Sequence, residues 1–336
     1  MRHALLLGLA LITALAGPLR AADPPADLRP LAHSMATTVI APAYRQFAAA
    51  VAATAAAWER ECRAPSPARA ALGETLRDTA RAWWRIEMVR FGPVGEDFRA
   101  ERIDFWPERR SATTRGLAEL LDPAGAEPSV ELLRGLSAAV QGLPALERLS
   151  FEGKGAPTPR ECAAGLAVAA NLDAMAKEIV AGWDTVAARA ATDEAFAGEL
   201  VARLVTDTLT EFQTLIDAKL APLGRSVEAA RPDALQGRRA GLERDALLAP
   251  LDGLERLVAA FVDGREEGAV VVATLDTARS IAGGLPERLG PLLADPRRRS
   301  QVVLLRDALK SARETAVTDL PALVGITVGF NSRDGD

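Results

Sequence analysis

Histidine is almost missing from this chain of 336 residues, with His3 and His33 the only two. Without imidazole, a Ser/His/Asp triad or a two-histidine zinc protease lacks its usual base or ligands. Cysteine is as scarce: Cys62 and Cys162 stand alone and form no Cys-x-x-Cys pair, which argues against a zinc or redox motif. No glycine-rich phosphate loop occurs. Of the 40 basic residues only four are lysines (154, 177, 219 and 310), and the other 36 are arginines. With so much alanine beside it, that bias reflects genome base composition rather than mechanism. Acids and bases are interleaved and the net charge is −5, so no nucleic-acid surface is expected. Beyond the first segment no apolar run is long enough to cross a bilayer, and the chain is not expected to span a membrane.

What is present is an ordinary globular balance of 49% hydrophobic and 25% charged residues. The length exceeds what one hydrophobic core usually serves, so two domains are expected. Residues 1–21 read as an export signal. Arg2 and His3 form a charged start, Ala4–Ala16 is an apolar run too short to span, and Leu19-Arg20-Ala21 is an acceptable cleavage site. No cysteine follows that site to carry a lipid anchor, so the expected location is the periplasm. In such an oxidising compartment Cys62 and Cys162 are expected to form a disulfide. Closing that 100-residue loop stabilises the fold by up to about 4.7 kcal/mol in the chain-entropy model.

Helical periodicity dominates and no alternating strand pattern appears, so the expected fold is all-α. Helices are predicted over 34–61, 68–91, 113–121, 160–190, 194–221, 233–263, 267–283 and 296–319, the last started by Asp295-Pro296. Long helices with short turns predict antiparallel bundles. The composition loosens at Ala191-Thr-Asp193, dividing an N-terminal bundle (22–192) from a C-terminal one (193–336). Leu-Pro-Ala-Leu occurs at both 143–146 and 320–323, an echo that duplicated halves would leave, although four residues also repeat by chance. Residues 92–112 are irregular, and the aromatics Phe91, Phe98, Phe105 and Trp106 predict that this loop packs into a groove.

The most informative stretch is Ser137–Glu152. Read as one helix, it places Leu136, Val140, Leu143 and Glu147 on a single inward stripe. A carboxylate there requires a partner, and the stripes of neighbouring helices offer Arg90 or Arg85. Gly142 lets another backbone approach closely, and Pro144 predicts a kink. The plain alternative is a domain-end helix whose glutamate pairs with an arginine.

Several segments together resemble the imelysin family, peptidase family M75. They are Trp84 with Arg90-Phe-Gly-Pro-Val94, Ile103-Asp-Phe-Trp-Pro107, Val140-Gln-Gly-Leu-Pro-Ala-Leu-Glu147, Asn171 with Trp183, and Gly329-Phe-Asn-Ser-Arg-Asp-Gly-Asp336. The resemblance implies a secreted or periplasmic protein of two helical bundles linked to iron or haem acquisition. The family signature is Gly-x-His-x-x-Glu, in which His and Glu three apart on a helix offer nitrogen and oxygen to one metal. Here Gly142 and Glu147 match, but Pro144 replaces the histidine, and proline cannot ligate a metal. The motif residues carried over as binding candidates are therefore Gly142, Pro144, Glu147, Arg90, Trp106, Asn331 and Asp334, with no catalytic residue and no metal ligand assigned. A non-enzymatic binding or accessory component of iron or haem uptake is the first expectation. Iron or haem would be its ligand, and other uptake components or another envelope protein its partners. A metallopeptidase and a partner-docking envelope protein using the 91–107 loop are the alternatives. His33 reads as a solvated histidine, and Asp334, Asp336 and the terminal carboxylate as an acidic tail.

Overall fold

The computed structural model describes residues 27–326 apart from Ala294 and Pro296. The fold is all-α, with no strand among the described residues. Helix α1 (Arg29–Ser34) runs through a π-helical stretch, Met35–Ile40, into α2 (Ala41–Arg63). The widened ladder precedes Pro42, which has no N–H to donate and whose ring crowds the preceding turn. The chain reverses at 64–68 into α3 (Arg69–Trp84). Short helices α4 (Arg99–Ile103), α5 (Ala112–Leu120), α6 (Val130–Gly135) and α7 (Leu143–Phe151) follow, and then the long α8 (Pro159–Ala190). A reciprocal capping box starts α8: the Thr158 hydroxyl accepts the Glu161 N–H and the Glu161 carboxylate accepts the Thr158 N–H, with Pro159 at the first position. Cys162 in that first turn is bonded to Cys62 near the end of α2, with Cα atoms 5.7 Å apart. The bond fixes α8 against α2, its principal packing partner.

Asp193 caps α9 (Glu194–Thr214), which continues through a second π-helical stretch, Leu215–Lys219. Helices α10 (Asp245–Val262), α11 (Ala269–Gly283), the short α12 (Gly290–Leu293) and α13 (Ser300–Val324) complete the second half. In this half α13 lies against α9, α10 and α11. The two halves meet where α9 lies against α1 and α8 and where α10 crosses the end of α3. A Cβ on Gly253 would sit 2.0 Å from the Arg85 carbonyl oxygen, so only glycine allows the backbones this close. Asp245 and Arg81 close the crossing at 2.6 Å, and buried residues from Ala32 to Val324 join one hydrophobic cluster.

Several helix ends depart from the sequence expectation, the first and last helices reaching out to Arg29 and Val324. The second long helix stops at Trp84 rather than Phe91, because the Arg85 carbonyl turns toward Gly253 and Gly92-Pro93 follow. The predicted 233–263 helix begins only at Asp245. Gly237 and Gly241 adopt φ of +69° and +77°, left-handed conformations that break a helix. The final helix starts at Ser300, four residues late, and Asp295 instead accepts the N–H of Arg297.

Candidate functional site

Ser137–Glu152 is not one helix. Ser137 caps a 3-10 turn, Ala138–Val140, and α7 starts separately with Gly142 as its N-cap. Pro144 therefore occupies the first turn, where its missing N–H is no loss, and introduces no kink. Gly142 is where the close approach happens: a Cβ there would lie 2.2 Å from the Ile103 carbonyl oxygen and 2.3 Å from that of Arg102. The end of α4 is thereby held against the start of α7, and Asp104 and Trp106 are delivered beside Pro144 and Glu147. The contact is buttressed from behind. Asn171 donates to the Gln141 carbonyl at 3.1 Å, and Arg102 Nε donates to the Gln141 side-chain oxygen at 2.7 Å. Trp183, the other α8 residue of the resemblance, stacks on Tyr44 in the core.

Pro144, Glu147 and Trp106 all line one cavity of about 710 Å³. One wall comes from α3 and the 104–111 loop, another from the start of α7, and the third from the 230–240 loop. Charged residues of α7 tie these walls together. Glu147 Oε1 accepts the N–H of Ala240 at 3.2 Å, and Arg239 lies 3.9 Å from Oε2. Arg77 grips the carbonyl of the same Ala240 at 2.7 Å. Arg148 bonds Glu108 at 2.8 Å on the opposite wall. Burial raises the pKa of Glu147, opposed by Arg239 and the Ala240 N–H. The expectation that Glu147 pairs with Arg90 or Arg85 is corrected: Arg239 takes that place. Arg90 is exposed and faces Glu101 at 3.7 Å, while Arg85 faces Asp252 at 3.8 Å. Ending α3 at Trp84 turns both arginines away from α7.

The floor of the cavity is a buried polar network. Asp104 Oδ2 accepts the indole N–H of Trp84 at 3.1 Å and the amide of Gln236 at 3.0 Å. The Gln236 oxygen accepts from Lys219 at 2.7 Å, and Lys219 also bonds Glu87, with both charged side chains almost fully buried. The Lys219 ammonium lies 5.8 Å and 5.7 Å from the Trp84 and Trp106 ring centres. Behind it sits Glu211, one of whose oxygens has no hydrogen-bond partner. Burial, reinforced by Glu87, pushes the Glu211 pKa up to about 8. Burial and Glu87 likewise push Asp104 up to about 7, against the pull of the Trp84 bond and Lys219. Asp207 rises to about 6 through burial, although the Arg90 backbone N–H bonds it at 3.0 Å.

The remaining sequence candidates lie elsewhere. Asn331 and Asp334 fall outside the described residues, as do the export segment and Asp336. His33 is exposed on α1, its Nδ1 3.0 Å from the Ala187 carbonyl. Phe105 and Trp106 are half-buried against the cavity, Phe91 packs edge-on to Trp183, and Phe98 is 75% exposed. Sequence reasoning missed Lys219, Gln236 and the 230–240 wall. Signals existed: Lys219 is one of only four lysines, and Gly237 with Gly241 marks a loop.

No group of three or more His, Cys, Asp or Glu side chains among the described residues is arranged to hold a metal ion. At the motif, Glu147 is the sole protein donor, and it is already engaged by a backbone N–H and an arginine. These residues do not fit a metal centre at that position.

The model of the imelysin family, peptidase M75, matches residues 40–316. The fold is similar to the crystal structure of an imelysin-like protein from Psychrobacter arcticum 273-4. The TM-score is 0.75 at 22% identity, covering 90% of this chain and 97% of that one. Comparison with curated proteins gives no match.

Proposed function

The chain belongs to the imelysin family, and on that premise we propose that it is a periplasmic binding or accessory protein of iron or haem uptake that does not hydrolyse peptides. The observation that carries this reading is the state of the motif. Its two cavity-facing positions present a proline and a glutamate already bonded to Ala240, on the wall of a cavity of about 710 Å³ with a polar floor. Cavities of roughly 300–1,000 Å³ suit a small ligand. Metal-assisted hydrolysis needs a metal held open to water, and here the nitrogen ligand of the frame is replaced by proline. The disulfide fits an oxidising compartment, and none of the described helices is long and apolar enough to cross a membrane. Partner docking through Phe98 is the second reading, supported by the exposure of that ring.

The test is titration of the purified mature protein with haemin and with ferric citrate, alongside a casein-cleavage assay. Binding of either ligand with no cleavage is expected. Cleavage that is abolished both by a chelator and by Glu147→Gln would overturn the proposal.

A further inference from the structure

Four arginines line the cavity, and their partners divide them into two kinds. Arg148 is held by Glu108, and Arg239 by Glu152 and Glu147. Asp233, the other acid at the mouth, is taken by Arg238, which points elsewhere. Arg110 and Arg231 are exposed and have no side-chain hydrogen bond or ion pair among the described residues. Among the described residues the cavity mouth thus carries two uncompensated guanidinium groups, the side chain best shaped to grip a carboxylate through paired N–H donors. Arg110 is held there by a backbone in the left-handed region, with φ of 53° followed by 52° at Ser111, a conformation that non-glycine residues seldom adopt.

Between mouth and floor the walls are apolar and partly flat. Trp106 and Phe105 face the cavity from one loop, with Leu143 and Leu235 on the other walls and Trp84 below. Aromatic walls of this kind stack on planar rings. The lining contains no histidine, cysteine, methionine or tyrosine, so it offers no side chain of the types that usually serve as an axial ligand to iron in a macrocycle.

Resting on the ligand-binding reading above, we propose that the cavity recognises a planar, carboxylate-bearing ligand through its carboxylates and its ring face. Arg110 and Arg231 bind the carboxylates and Trp106 stacks on the ring, so bound iron adds little to affinity. Burial, which raises Asp104 to about 7, lessens the negative charge that the floor presents to such a ligand.

The experiment titrates the mature protein with haemin, metal-free protoporphyrin IX and its dimethyl ester, following tryptophan quenching. Metal-free porphyrin should bind within about threefold of haemin, since a difference that small is under 1 kcal/mol. The ester should bind at least tenfold more weakly, and Arg110→Gln with Arg231→Gln should weaken both acids at least tenfold. Arg298→Gln, an exposed arginine outside the lining, should change nothing, and circular dichroism should report unchanged helix in each variant. Haemin binding without porphyrin binding would overturn this inference and leave the proposed function standing. So would affinity indifferent to esterification and to the arginine pair, or ferric citrate binding with neither porphyrin bound. If neither porphyrin nor ferric citrate binds, both readings fall.

Discussion

Removing the Lys219 ammonium while keeping its length, as in Lys219→Met, tests the buried network under the cavity. Lys219 and Glu87 are 1% and 6% exposed, so little solvent screens the pair. Losing one partner leaves a carboxylate desolvated beside Asp104 and Glu211, and leaves the Gln236 oxygen without its donor. Breaking a buried pair in this way costs about 3–5 kcal/mol. With a urea slope of roughly 3 kcal/mol per M, the unfolding midpoint should fall by about 1–1.7 M. Lys219 is also a cation that holds Asp104 and Glu211 down, so both climb further in the variant. An acid whose folded pKa is raised binds its proton more tightly when folded, and its stability contribution disappears as pH rises through that pKa. The deficit of Lys219→Met should therefore be larger at pH 8 than at pH 5. Adding Glu87→Gln removes the orphaned charge and should recover at least about 2 kcal/mol of the loss. A single-variant cost below about 1 kcal/mol, or a double variant no more stable than Lys219→Met, would refute the reasoning.

The wild type should itself be more stable near pH 5 than at pH 8 by urea midpoint. Asp104, Asp207 and Glu211 are raised from 3.8, 3.8 and 4.5 to about 7, 6 and 8, and lose stability across that window as pH rises. Below about pH 4 the trend should reverse, because acids such as Asp193, held down by the Phe196 N–H and Arg189, must then be protonated. Gly142→Ala should cost about 1–3 kcal/mol or more, since the new Cβ meets backbone oxygens that cannot rotate away, and should weaken haemin binding in the same titration. Cys62→Ala with Cys162→Ala should cost up to about 4.7 kcal/mol, and two free thiols in the intact mass of the oxidised protein would refute the pairing. Glu147→Ala should cost only about 1.5–3 kcal/mol, the value of one hydrogen bond to a charged group, because the carboxylate keeps partial exposure and its arginine stands 3.9 Å away; a loss above about 4 kcal/mol would show a buried ion pair instead.

The helical class, the Cys62–Cys162 pairing and the close approach at Gly142 were legible because each is a local or covalent property. Periodicity reports which face of a helix is buried, and a glycine ahead of a helix reports a nearby backbone. The partner of Glu147 was not legible. Choosing among 36 arginines requires knowing that the chain leaves helix at Arg85 and that 230–240 is a loop. Both depend on tertiary contacts: α10 crossing α3 at Gly253, and Ala240 clamped between Glu147 and Arg77. The buried network was hidden for the same reason. Glu87 and Lys219 are 132 residues apart, and neither residue's neighbours in sequence signal that they meet.

Gly142, Pro144 and Glu147 each have a structural place at the cavity wall. In the Gly-x-x-x-x-Glu frame, Gly142 sets the distance between α4 and α7, and Glu147 holds the 230–240 wall through Ala240. Both are architectural tasks, and neither requires a nitrogen ligand between them. A proline in the first turn of α7 costs the helix no hydrogen bond, so Pro144 is neutral for the fold while its ring gives the cavity wall no donor or acceptor. Among the described residues the charged lining groups without a side-chain partner are Arg110 and Arg231, and the proposed recognition rests on them rather than on the motif.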